Sequence, residues 1–72
     1  MLILTQSGDI VNTDQIASIQ YEQKPDGHHA GIWACAGTER YWLGTYASIF
    51  RAQQVIEEIF NTRASRHRMP DK

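Results

Sequence analysis

The chain has 72 residues, with 7 Lys+Arg against 8 Asp+Glu and a formal net charge of -1. That is the size of one small domain. It is too near neutral to bind nucleic acid through whole-body charge, and at 42% apolar residues it is too rich for global disorder. No apolar run approaches the roughly 18 residues of a membrane-spanning helix, so no membrane association is expected. The opening Met1-Leu2-Ile3-Leu4 carries no basic leader and soon meets Gln6 and Asp9, which is not the pattern of a signal peptide. A lone cysteine, Cys35, fits a reducing, cytoplasmic compartment and offers no intrachain disulfide. Surface scaling buries only about 62% of the surface of so short a chain. The stability margin is thin, and association is one standard remedy.

In chain order, residues 1–5 read as a strand, with Leu2 and Leu4 on one face and Ile3 on the other. Gln6-Ser7-Gly8-Asp9 is a turn, and Ile10-Val11-Asn12 returns as a second short strand. Thr13-Asp14-Gln15 turns the chain again. Ala17–Gln23 alternates, with Ile19 and Tyr21 opposite Ser18, Gln20 and Glu22, as a half-buried antiparallel strand does. Lys24-Pro25-Asp26-Gly27 is the strongest turn, because Pro presets φ and Asp-Gly favours a tight reversal. His28 and His29 extend that loop.

Ala30–Ala36 and Glu39–Tyr46 flank Gly37-Thr38, which suits a two-residue hairpin loop. A two-residue loop sets Cys35 opposite Arg40, Ala34 opposite Tyr41, Trp33 opposite Trp42 and Ile32 opposite Leu43. One face then carries the two tryptophans and the other carries Ile32, Ala34, Tyr41 and Leu43. Ser48 is a good N-cap, and a helix is predicted over about residues 48–64. Its apolar stripe is Ala52, Val55, Ile56, Ile59 and Phe60. Residues 1–64 therefore form a single α+β domain, an antiparallel β-meander of four to five strands covered by one C-terminal helix. Residues 65–72 are either a basic tail or a short extra strand at Arg66–Met69.

Several of these features resemble a family of short, functionally uncharacterised proteins from Gram-positive bacteria and their phages. They are the Asn12-Thr13-Asp14 turn, the run Tyr41-Trp42-Leu43-Gly44-Thr45-Tyr46-Ala47-Ser48, Ala52 at the helix start, and Met69-Pro70-Asp71. The resemblance covers most of the chain. It implies a small β-meander plus helix, and it implies no reaction. The family tends to place acidic residues just after the capping Ser, where they suit the helix dipole. Here Ile49 and Phe50 stand there, followed by Arg51.

Chemistry-bearing residues are sparse. His28, His29, Cys35 and His67 lack the spacing of a zinc site, so no metal or cofactor is expected. Cys35 beside Arg40 is the only nucleophile worth naming, and an ordinary half-buried strand cysteine is the better reading. The aspartates sit in turns and Glu57-Glu58 lie side by side on the wet helix face. The chain is therefore read as non-enzymatic.

Two surfaces stand out. The apolar hairpin has two faces and one helix covers only one, so Trp33, Trp42, Ile49 and Phe50 are the candidate contact residues of a homo-oligomer or another protein. The charge is also uneven. Residues 1–47 hold Lys24 and Arg40 against five acids, a balance of -3, whereas residues 48–72 hold five basic residues against three acids, +2. Arg63, Arg66 and Arg68 are thus candidates for contact with nucleic acid or phosphate. An interaction module that self-associates is the leading reading, and an accessory nucleic-acid-binding protein is the second.

Overall fold

A computed structural model describes all 72 residues. The strands are β1 (Leu2–Leu4), β2 (Ile10–Asn12), β3 (Ser18–Gln23), β4 (Ala30–Ala36) and β5 (Glu39–Tyr46); α1 (Ile49–Asn61) and β6 (Arg66–Arg68) follow. A single 3-10 turn at Thr13–Gln15 links β2 to β3, with the Asn12 side chain accepting from the Asp14 N–H at 3.0 Å. The class is α+β with one C-terminal helix, as the residues indicate. There are six strands rather than four or five, and they form two three-stranded sheets, ordered β2-β1-β6 and β3-β4-β5. β6 runs parallel to β1, a pairing that joins opposite ends of the chain and leaves no local pattern to read.

The β4–β5 hairpin keeps the expected register near its turn, with Cys35 opposite Arg40, Ala34 opposite Tyr41 and Trp33 opposite Trp42. Gly37 has φ 63, which only glycine adopts without strain. Beyond the tryptophans the register shifts, and Ile32 lies opposite Gly44 instead of Leu43. Leu43 is the extra residue of a β-bulge, and it is fully buried. The bulge lets Leu43 and Tyr46, three residues apart on β5, both enter the core beside Ile32, Ala34 and Ala30, which strict alternation would forbid.

Helix α1 starts at Ser48, whose hydroxyl accepts the Arg51 N–H at 3.0 Å. It lies on the face of β3-β4-β5 that carries Ile32 and Ala34, burying Ala52, Val55 and Ile59. Ile3, from the inner face of the other sheet, and Met69 complete the same core. Two residues of the expected helix stripe behave differently: Ile56 is half-buried, and Phe60 is 84% exposed on the helix flank. The helix ends at Asn61, short of residue 64, because the chain must turn to deliver β6 to β1.

Gln6 joins the two sheets. Its backbone N–H donates to the Leu43 carbonyl at 3.0 Å. Its side-chain Oε1 accepts the Thr45 N–H at 2.7 Å, and Nε2 donates to the Pro70 carbonyl at 2.9 Å. This clamps the free edge of β5 to the C-terminal segment. Tyr46, 1% exposed, adds its hydroxyl to the Pro70 carbonyl at 2.7 Å.

Candidate functional site

The tryptophans stand on the face of β3-β4-β5 turned away from the helix, since Ile32 and Ala34 on either side of Trp33 are buried beneath it. Both rings are half-buried. The Arg40 guanidinium lies over the Trp33 ring, 4.3 Å from its centroid, and also reaches Glu22 at 2.7 Å. The Trp42 indole N–H donates to the Thr45 hydroxyl at 3.0 Å. The polar handles of this face are thus occupied by its own neighbours.

Ile49 and Phe50 lie at the start of α1, across the sheet from the tryptophans. Ile49 packs against the core. Phe50 is 70% exposed, and it borders a shallow depression with Tyr21, Gln53, Ile56 and Glu57. The four residues therefore present two separate surfaces, one on each side of the sheet.

The arginines are placed by β6. Arg66 lies beside Leu2, and Arg68 beside Leu4. Leu2 in turn faces Asn12, and Leu4 faces Ile10. Alternation puts Ile3, Val11 and His67 on the inner side and Leu2, Leu4, Ile10, Arg66 and Arg68 together on the outer side. Leu2 is 39% exposed and Ile10 is 68% exposed. The result is an apolar strip with a cationic edge, bordering a shallow groove of roughly 440 Å³. No ion pair engages Arg66, Arg68 or Arg63, whereas Arg40 and Arg51 are both paired. Arg63 sits in the loop between α1 and β6, away from the other two.

The remaining candidates are scattered. Cys35 is half-buried in β4, opposite Arg40 and Ser18. Asp26 caps the β3–β4 loop: its Oδ1 accepts the N–H groups of His28 at 2.7 Å and His29 at 2.9 Å, and its Oδ2 pairs with His29 Nδ1 at 2.6 Å. Those backbone donors first, and the imidazole after them, hold the Asp26 carboxyl well below the usual carboxylate range. His67 packs inward, and its Nε2 is buried without a hydrogen-bond partner. No three His, Cys, Asp or Glu side chains converge as metal ligands do, and no helix is long and apolar enough to cross a membrane.

The apolar members of the outer strip, Leu2, Leu4 and Ile10, escape a reading of the sequence as site residues. A signal for them exists in the alternation of Leu2-x-Leu4 and of Arg66-x-Arg68. Only the parallel pairing of β6 with β1 brings the two patterns onto one face. No protein-family model, curated protein or solved structure matches this chain.

Proposed function

We propose that this protein is a non-enzymatic interaction module that works by self-association, in a bacterial or prophage setting. The observation that supports it is the uncovered outer face of the β2-β1-β6 sheet. The single helix is committed to the other sheet, so Leu2 and Ile10 stay exposed beside the half-buried Leu4. Exposed apolar groups gathered on a sheet face, rimmed by charge, are the ordinary composition of a contact surface. Phe50 and Phe60 add further exposed aromatic area on the helix. The reading assigns no catalytic or metal-binding role to any residue.

The test is solution mass by light scattering on a sizing column, from micromolar to millimolar protein. The expected result is a rise from 8.2 kDa toward a multiple of it. A mass that stays at the monomer value at every concentration overturns self-association.

A second reading is supported by the arginines. Arg66 and Arg68 project from one face without acidic partners, so they are free to contact phosphates, with Arg63 nearby in sequence. As an accessory nucleic-acid-binding protein the chain should bind generic duplex or single strands with an affinity that falls steeply with salt. Titration at low and moderate salt decides this, and the absence of salt-sensitive binding removes it.

A further inference from the structure

We infer that the free edge of β3, together with the flank of α1 above it, takes a second copy of this chain, with β3 paired antiparallel to the partner's β3 about a two-fold axis at Gln20. This rests on the self-association proposed above and names the seam that makes it. The outer face of β2-β1-β6 spans only roughly 14 by 10 Å, less than a specific interface needs. A longer seam is required, and β3 provides it.

The edge is open along its length. In the order β3-β4-β5 only β3 and β5 have an outer edge, and that of β5 is held at Leu43 and Thr45 by Gln6. β2 and β6 are three residues long, whereas β3 has six. The Lys24 N–H donates to the His29 carbonyl at 2.8 Å, which sets the phase of the β3–β4 ladder. Alternation then turns the amides of Ser18, Gln20 and Glu22 toward β4 and those of Ile19, Tyr21 and Gln23 outward. These outward N–H and C=O groups have no partner in their own chain. Edge strands are normally blunted by Pro, Lys or a bulge. β3 holds no Pro or Lys and keeps an unbroken register, and its one charge, Glu22, is engaged by Arg40 at 2.7 Å. Such an edge accepts an extended strand through main-chain hydrogen bonds.

The side chains around the edge select a second β3. Because odd-numbered amides face outward, antiparallel pairing must set odd residues against odd. A two-fold axis at Gln20 pairs Ile19 with the partner's Tyr21 and Ser18 with the partner's Glu22. An axis at Glu22 sets Glu22 against its own copy, which like-charge repulsion disfavours. An axis at Tyr21 leaves Ile19 against the partner's Gln23. Ile19 and Tyr21 lie on the helix side, opposite Ala34 and Ile32. The same axis keeps both helices on that side, next to each other and antiparallel. Helix α1 follows β5 after two residues and returns across the sheet, so it runs against β3. The Gln53 amide donates to the Tyr21 hydroxyl at 3.0 Å. One strand residue, about 3.3 Å, equals about two helix residues. The axis at Gln20 therefore crosses α1 at the level of Val55, midway between Phe50 and Phe60. Both rings are exposed, and Phe50 borders the depression that Tyr21 and Ile56 also line. Phe50 comes to the level of the partner's Phe60, and Gln53 to that of the partner's Glu57. No like charges oppose one another.

The joined wall is about 20 Å long, one strand, and about 15 Å high, a helix on a sheet. That is on the order of 300 Å² per copy, at the weak end of specific interfaces. Main-chain bonds from Ile19 and Tyr21 add to it. The arrangement is isologous and closes as a dimer.

Sedimentation and light scattering on the full chain, with thiol cross-linking, test this. Across an antiparallel pair at a non-hydrogen-bonded position the Cα atoms lie about 4.5 Å apart, within bridging range. Gln20→Cys in a Cys35→Ser background should therefore form an intermolecular disulfide under mild oxidation. Glu22→Cys in the same background, about 13 Å from its copy, should not. Phe50→Lys with Phe60→Lys sets Lys toward Lys and should weaken the dimer at least about tenfold. Phe50→Glu with Phe60→Lys sets opposite charges together and should retain it. Both positions are exposed, and circular dichroism verifies that each variant is folded. Monomeric wild type at every concentration defeats the underlying self-association and this interface with it. Dimeric wild type with Gln20→Cys unlinked, with Glu22→Cys linked as fast, or with both Phe50/Phe60 variants equally dimeric, overturns this interface and leaves self-association standing.

Discussion

Tyr46→Phe is the most direct probe of how the C-terminal segment is held. Tyr46 is 1% exposed, and its hydroxyl donates to the Pro70 carbonyl at 2.7 Å. Phenylalanine keeps the ring and its packing and leaves no cavity, so the change isolates one hydrogen bond. The Pro70 carbonyl still accepts from Gln6 Nε2 at 2.9 Å, so it is not orphaned. The net loss is then that of one ordinary bond, about 1 kcal/mol. For a domain of this length that lowers Tm by about 4–8 °C.

The same residue carries a pH signature. Burial pushes the Tyr46 phenol up to about 12, against the pull of nearby Arg51. Its unfolded value is about 10. A raised folded value means that the folded chain holds this proton more tightly than the unfolded chain. The contribution is complete below pH about 10 and is lost as pH rises from about 10 to 12. Tyr46→Phe has no such group, so the stability gap between wild type and variant should shrink across that window. Tyr41, whose phenol is also raised, by its hydrogen bond to Glu39, is present in both proteins and cancels. The assay is urea unfolding followed by fluorescence of Trp33 and Trp42, at neutral pH and stepwise from pH 10 to 12. Equal stability at neutral pH refutes the Pro70 contact. Parallel pH profiles for the two proteins refute the buried, proton-holding phenol.

Two further predictions concern the clamp and the loop. Gly44→Ala places a Cβ 2.9 Å from Gln6 Cδ, and Gln6 cannot retreat without releasing Thr45 and Pro70, so the variant should lose about 1–3 kcal/mol in urea unfolding; a wild-type midpoint refutes the close packing of Gln6. The Asp26 carboxyl should stay ionised, in carbon-detected NMR titration, to well below the usual carboxylate range, and His29→Ala should reverse only part of that shift because the backbone N–H groups of residues 28 and 29 remain. A depressed value means that the contribution of this carboxylate to stability is present above the unfolded value and is lost as pH falls through the folded one. Complete reversal by His29→Ala refutes the backbone-donor account.

Local chemistry alone determined much of this protein. The Gly37-Thr38 loop, the pairing of Trp33 with Trp42, the Lys24–Gly27 turn and the Ser48 cap each depend on neighbours within a few residues, so each was legible in the chain. The helix and its buried line of Ala52, Val55 and Ile59 follow from spacing in the same way. The tertiary structure decided three other matters. The bulge at Leu43 lets Leu43 and Tyr46, three residues apart, both reach one core, and no rule of alternation shows that a strand will absorb an extra residue. The seam between the two sheets is bridged by Gln6, whose partners Leu43, Thr45 and Pro70 are remote in sequence. The face that joins Leu2, Leu4 and Ile10 to Arg66 and Arg68 exists because β6 returns more than sixty residues later to lie parallel to β1. Burial is a property of the whole chain: only the packed core reveals that Ile3 turns inward, leaving Leu2 and Ile10 at the surface with no helix left to cover them.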